Sequence, residues 1–157
     1  MSERSFLLQR VQPAMVGLID GSLSTLAPIF GIVFYTHRPH AAFVAGLATA
    51  IGAGISMAYS EGLSDTGELT GRGSPFNRGA ITGVGTFIGG ILHTLPFLIP
   101  SYHTAVVTAA SIVAFELVAL AVLRSRFFDT SFVKSLAHIT LAGAVIALVG
   151  AGIGSGA

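Results

Sequence analysis

Five stretches of about 20 mostly apolar residues, each cut off from the next by a short polar break, leave this chain few ways to fold. They run from about Ala14 to Tyr35, Ala41 to Ser60, Arg78 to Ile99, His103 to Leu123 and Leu136 to Ile153. A helix of that length crosses the hydrocarbon of a bilayer while satisfying its own backbone hydrogen bonds. The runs do not alternate polar with apolar residues, which excludes the strands of a membrane barrel. Only 10% of the residues are charged and 52% are hydrophobic, where a soluble domain carries about 25% charged. The expectation is an all-α polytopic membrane protein. Residues 1–157 form a single bundle of five transmembrane helices, about 14–35, 41–60, 78–99, 103–123 and 136–153, with a short acidic and glycine-rich loop at 61–77.

The lysines and arginines orient it. With the N-terminus in the cytoplasm, Arg4, Arg10, Arg72, Arg78, Arg124, Arg126 and Lys134 lie on the cytoplasmic side and Arg38 alone on the other, seven against one. The C-terminus is then outside. A net charge of +1 and the lack of any basic run with interleaved aromatics exclude nucleic acid as a partner. No cysteine is present, so neither a disulfide nor a thiolate metal site can form. Small residues recur four apart at Ala48/Gly52, Ala50/Gly54, Gly79/Gly83, Gly85/Gly89 and Gly150/Gly154, a spacing that lets helix backbones approach closely.

A few polar side chains interrupt the apolar spans. At about 1.5 Å per residue, Asp20 lies roughly 10 Å in from the cytoplasmic side, Glu116 roughly 12 Å and His138 about 6 Å. Met57 stands one turn above Glu61, which marks the cytoplasmic end of the second span. His93 is the exception, deeper toward the far side. On a continuous helix Met57, Glu61, Asp65 and Glu68 would share one face and form a loading ramp.

Each of these residues has an ordinary reading when taken alone. Met57 fills core, Glu61, Asp65 and Glu68 are interfacial charges, and His93 and His138 are locally satisfied. Asp20 could be met by nearby hydroxyls and Glu116 by a neighbouring helix. An intramembrane carboxylate is nevertheless a functional group by default, and here several converge in one layer. Carboxylates with a thioether and an imidazole suit Fe²⁺ or Mn²⁺. A Ca²⁺ cage needs more oxygens, and a structural zinc site needs Cys and His at fixed spacing. The Glu-x-x-His pattern of di-iron bundles is absent, because Glu61, Glu68 and Glu116 are followed three residues later by Ser64, Gly71 and Ala119. The expected metal pathway is therefore Asp20, Met57, Glu61 and Glu116. Asp65 and Glu68 serve as loading residues, with Ser24, Ser56 and His138 as auxiliaries. No catalytic residue and no permanently bound cofactor are expected.

The same residues carry a family resemblance. "GLIDGSLSTLAPIFG" (17–31) resembles the Asp-Gly opening of the first helix in the vacuolar iron transporter family. "AGISMAYSEGLSD" (53–65) resembles that family's second-helix motif, matching at Ala53, Gly54, Ser56, Met57, Ala58, Glu61 and Ser64 and departing at Ser60 and Gly62. "GGILHTLPFLIP" (89–100) is similar to its proline-containing third helix. "RSFLLQRVQPA", "GRGSPFNRG", "FEL" and "RSRFF" resemble the membrane half of bacterial erythrin–vacuolar iron transporter fusions, the membrane-bound ferritins. The chain has no counterpart of their ferritin-like domain. The resemblance implies a homodimer in the bacterial inner membrane that exports Fe²⁺ or Mn²⁺ from the cytosol against protons, with Asp20, Met57 and Glu61 on the pathway.

Two other classes compete. A membrane hydrolase would need a serine in a motif such as Gly-x-Ser-x-Gly with a histidine base, or two intramembrane aspartates, and neither is present. A membrane anchor for a separate ferritin-like protein fits the composition but gives no reason for acidic residues in the bilayer.

Overall fold

A computed structural model describes residues 2–156. Its helices are α1 (Glu3–Phe6), α2 (Gln12–Ser24), α3 (Leu26–Thr36), α4 (Pro39–Ser64), α5 (Pro75–Leu92), α6 (Tyr102–Phe127) and α7 (Phe132–Gly156). A π-helical turn at Leu7–Val11 joins α1 to α2, and a 3-10 turn at Leu95–Leu98 follows α5. The described residues contain helices and no strand. The rod Glu3–Thr36, α4, α6 and α7 are each long and apolar enough to cross a membrane. The fifth long helix, α5, has 18 residues and stops short of the expected span.

Local chemistry sets these limits. Pro39 and Pro75 stand in the first turns of α4 and α5, where a missing N–H costs nothing. Ser101 caps α6 by accepting the Thr104 amide. Arg124 and Arg126 in its last turn complement the helix dipole and carry α6 past the expected Leu123. The 3-10 turn contains Pro96, Pro100 follows it, and α5 ends at Leu92 instead of Ile99. The rod is interrupted at Thr25, between α2 and α3. Pro28 has no N–H to offer the Ser24 carbonyl, and the Thr25 hydroxyl turns back onto the Gly21 carbonyl at 3.0 Å.

α5 is wedged between α2 and α4 with backbones in contact. Gly17 and Gly21 of α2 rest against the Thr82 and Thr86 carbonyls, and a Cβ on Gly83 would come within 2.6 Å of the Gly54 oxygen of α4. Gly150 and Gly154 of α7 pack in the same way on Ala27 and Gly31 of α3. Four of the five small pairs thus close helices within this chain. The fifth, Ala48/Gly52, faces outward, with nothing within 4 Å of Gly52. Leu26, Ile29, Val33 and Phe97 fill one core cluster, and Met15, Leu117, Leu120 and Ile139 fill the other. Phe115, Leu148 and Ile153 point outward, as helices that face lipid require.

Candidate functional site

The polar side chains sort into three groups along the bundle. The first closes the junction of α4 and α5. Helix α4 ends at Ser64, and Asp65 is extended, with φ −162° and ψ 163°. Gly67, Gly71 and Gly73 then take positive φ, a conformation open to glycine, and turn the chain back toward α5. This corrects the loading ramp: Asp65 and Glu68 do not continue the Met57–Glu61 face, because the helix that would align them has ended. Glu68 is exposed and Asp65 is engaged.

The engagement comes from two arginines. Arg78 is fully buried at 0% exposure. Its Nε–H donates to Glu61 Oε1 at 2.9 Å, one Nη–H to the Gly73 carbonyl at 3.0 Å and the other to the Asp65 carbonyl at 3.3 Å. Arg72 donates to Glu61 Oε1 and, at 3.0 Å, to Asp65 Oδ2. Two guanidinium groups therefore balance two carboxylates. Desolvation pushes the Asp65 carboxyl upward, but the Gly67 amide, Arg72, the charge of Arg78 and the Thr70 hydroxyl outweigh it and hold that carboxyl below the usual range.

The second group is Asp20 with Met57. Helix α5 serves as a ruler between them. Gly17 and Gly21 of α2 lie opposite Thr82 and Thr86, whereas Gly54 and Ala58 of α4 lie opposite Gly83 and Gly79. Asp20 is thus level with Gly52, Met57 stands roughly 8 Å below it along the bundle and Glu61 roughly 14 Å below. The three form a descending series and not one cluster. Asp20 and Met57 are half-buried. Among the described residues Asp20 makes no hydrogen bond and no ion pair. One turn above it, Ser24 Oγ is buried without a partner. Ser56 and His138 face outward, and the His138 Nδ1–H donates to the Lys134 carbonyl at 2.6 Å.

The third group corrects the position of Glu116. It does not join Asp20; it meets His93 and Thr25, about 7 Å further along the bundle. Glu116 Oε2 lies 2.7 Å from His93 Nδ1, and His93 Nε2 is hydrogen-bonded to Thr25 Oγ1. His93, the C-cap of α5, is 0% exposed and Glu116 is 6% exposed. Depth counted from Arg124 placed Glu116 too near the cytoplasmic side, because α6 continues to Phe127 before it ends. The usable hint was the short link between α5 and α6, which makes these helices antiparallel neighbours. Arg72 and Arg78 were legible only as topological charges, since nothing local says that a loop arginine is buried.

Among the described residues, no group of three or more His, Asp or Glu side chains stands ready to hold a metal ion. No family model, curated protein or solved structure matches the chain.

Proposed function

We propose that this chain carries a divalent transition metal ion, Fe²⁺ or Mn²⁺, out of the cytosol across a bilayer in exchange for protons. The observation that carries this reading is Asp20, a carboxylate inside a membrane-length helix, with no counter-charge and no hydrogen bond among the described residues. Placing such a group there costs about 2.5–3.5 kcal/mol on insertion scales, so it is retained for a partner that comes and goes. A divalent cation is a partner of the right sign. Met57 lies below Asp20 along the bundle, with Glu61, held by Arg72 and Arg78, a further turn below, and a thioether beside a carboxylate suits a borderline-soft transition metal over Mg²⁺ or Ca²⁺. A carboxylate that binds metal must give up its proton, so metal and proton compete for the same oxygen. That competition is the minimum chemistry of exchange.

The finer architecture belongs to this proposal. The polytopic bundle has its N-terminus in the cytoplasm and its C-terminus outside, from the seven-to-one bias of Lys and Arg. Residue matches at Asp20, Met57 and Glu61 to the vacuolar iron transporter pattern support the cargo, the homodimer and the bacterial inner membrane. The experiment is metal entry into vesicles reconstituted with the purified protein, with a pH dye in the lumen. Metal entry should be accompanied by proton exit. Asp20→Asn should slow both by about tenfold or more, the factor that ~1.4 kcal/mol of lost ion stabilisation gives. Normal flux through folded Asp20→Asn protein would end the reading. A chain that only anchors an iron-storage protein would move no metal at all.

A further inference from the structure

The hydrogen bonds between Thr25, His93 and Glu116 all close together only when the group holds two protons. Thr25 Oγ1 carries one hydrogen but touches two groups, the Gly21 carbonyl at 3.0 Å and His93 Nε2. If the hydroxyl donates to Gly21, it must accept from Nε2, so Nε2 holds a hydrogen. The 2.7 Å contact between Nδ1 and Glu116 Oε2 then needs one more proton, shared between imidazole and carboxylate. With both protons present the group is electrically neutral overall. When one leaves, the Nδ1–H donates to an ionised Glu116 and Nε2 is bare. The Thr25 hydroxyl must then rotate from Gly21 to Nε2 to satisfy it. Burying His93 without a partner for either nitrogen would cost a full desolvation penalty, so these two arrangements are the ones the geometry admits.

We propose that Thr25, His93 and Glu116 form a proton-binding site in the bundle interior, whose loss of one proton switches the Thr25 hydroxyl from the Gly21 carbonyl to His93. Three further observations fit it. Glu116 Oε1 is buried with no partner, so the carboxyl's hydrogen bonding among the described residues runs through Oε2 to His93 alone. Gly21 follows Asp20 directly, so the carbonyl released by the switch lies one residue from the unpaired carboxylate. Ser24 Oγ, also buried and unpartnered, sits one turn above Asp20 and next to Thr25.

Among the described residues no other charged group touches the site. The titratable and charged groups on the surrounding elements are Asp20 (α2), Tyr35 (α3) and His37 (its cap), His40, Tyr59 and Glu61 (α4), Arg78 (α5), Tyr102, His103, Arg124 and Arg126 (α6), and Lys134 and His138 (α7). None of them makes a hydrogen bond or ion pair with His93 or Glu116. As the proton half of the exchange proposed above, the site rests on that reading. As a proton-binding site it stands alone, and its test contains no metal.

The test is solid-state NMR of the full chain in lipid bilayers, with ¹⁵N-labelled histidine and ¹³C-labelled glycine, from about pH 5 to about pH 9, the range in which imidazole switches are found. The His93 Nε2 resonance should move from the protonated to the unprotonated ring-nitrogen region while Nδ1 stays protonated. The Gly21 carbonyl resonance should shift with the same midpoint. In Glu116→Gln, which keeps the shape but cannot ionise, the Nε2 transition should disappear, and in Thr25→Val the Gly21 shift should disappear. A wild-type Nε2 signal that stays constant would overturn the site whether or not either variant folds. An unchanged Nε2 transition in Glu116→Gln would remove Glu116 from it. Titration of Nε2 with a static Gly21 carbonyl would refute the hydroxyl switch. Any of these results leaves the vesicle experiment on metal flux to be judged separately.

Discussion

Replacing Arg78 with alanine tests whether the junction of α4 and α5 is held by charge or by packing alone. The side chain is fully buried and donates three hydrogen bonds of 3.3 Å or shorter, to Glu61 Oε1 and to the carbonyls of Gly73 and Asp65. Bonds from a charged donor contribute about 1.5 kcal/mol each at the lower end, so three give about 4.5 kcal/mol. Removing one member of a buried ion pair costs about 3–5 kcal/mol, which agrees. Glu61 keeps 12% exposure and a second guanidinium from Arg72, so part of the loss is recovered and about 3–4 kcal/mol is expected.

The assay is unfolding of the purified protein in mixed micelles with rising dodecyl sulfate, followed by circular dichroism. Glu61→Gln alone should be milder, because Arg78 keeps its three backbone and side-chain acceptors in modified form. In the double variant the two losses should fall short of their sum by about 1–2 kcal/mol, since the residues share one interaction. Arg78→Lys should recover less than half of the loss, because a compact ammonium cannot replace a planar fork with donors aimed at three acceptors. An Arg78→Ala protein within about 1 kcal/mol of wild type, or strictly additive losses, would refute this account.

Two further outcomes follow from the packing and the electrostatics. Gly17→Ala should destabilise the bundle or part α2 from α5, because its Cβ would be driven into the Thr82 backbone oxygen, whereas Gly52→Ala, with open space around it, should gain up to about 1 kcal/mol of helix propensity; equal effects in the same micelle assay would contradict the backbone contact. The Asp65 carboxyl is held below its ordinary value near ~3.9, so the stability it lends is complete above about pH 4 and disappears only as the pH falls through the lower folded value. Hydrogen exchange of the 65–74 loop, corrected for intrinsic rates, should therefore be flat from about pH 7 to about pH 5 and rise only in stronger acid; a rise beginning near pH 6 would assign the latch to another group.

The helical class and the position of most spans were legible because apolar runs of membrane length admit one solution for the backbone. Glycine pairs at i,i+4 announced close helix contacts, and four pairs are used in that way inside the chain. The side-chain partnerships were less legible. Asp20 was legible as a lone charge in an apolar helix and remains one. Glu116 and His93 looked separate because each was counted along its own helix from a different end. Which residues face one another depends on how far α5 slides against α6, and that slide is set by where α5 stops. The face of α4 that was extended through Asp65 and Glu68 failed for a similar reason: Asp-Thr-Gly ends a helix, and helical periodicity has no meaning beyond its end.

The short third helix is what connects these features. An α5 rich in glycine can lie backbone to backbone between α2 and α4, and this buries Arg78 at one end and His93 at the other. Ending at Leu92 leaves backbone groups that a bilayer interior cannot satisfy, so the chain satisfies them itself. The Thr94 hydroxyl donates to the Gly90 carbonyl at 2.7 Å, and the Thr94, Phe97 and Ile99 amides find carbonyls at 3.0–3.1 Å through the 3-10 turn. The break therefore costs few hydrogen bonds, and it swings the His93 ring off the helix axis toward α6 and the α2–α3 break. Thr25 stands at that second interruption, beside Pro28, with its hydroxyl on the Gly21 carbonyl and against His93. Two helix breaks facing each other across the bundle thus make room for a carboxylate, an imidazole and a hydroxyl in the bundle interior. A longer, uninterrupted α5 would span the bilayer more simply but would carry no His93 at a helix end to meet Glu116.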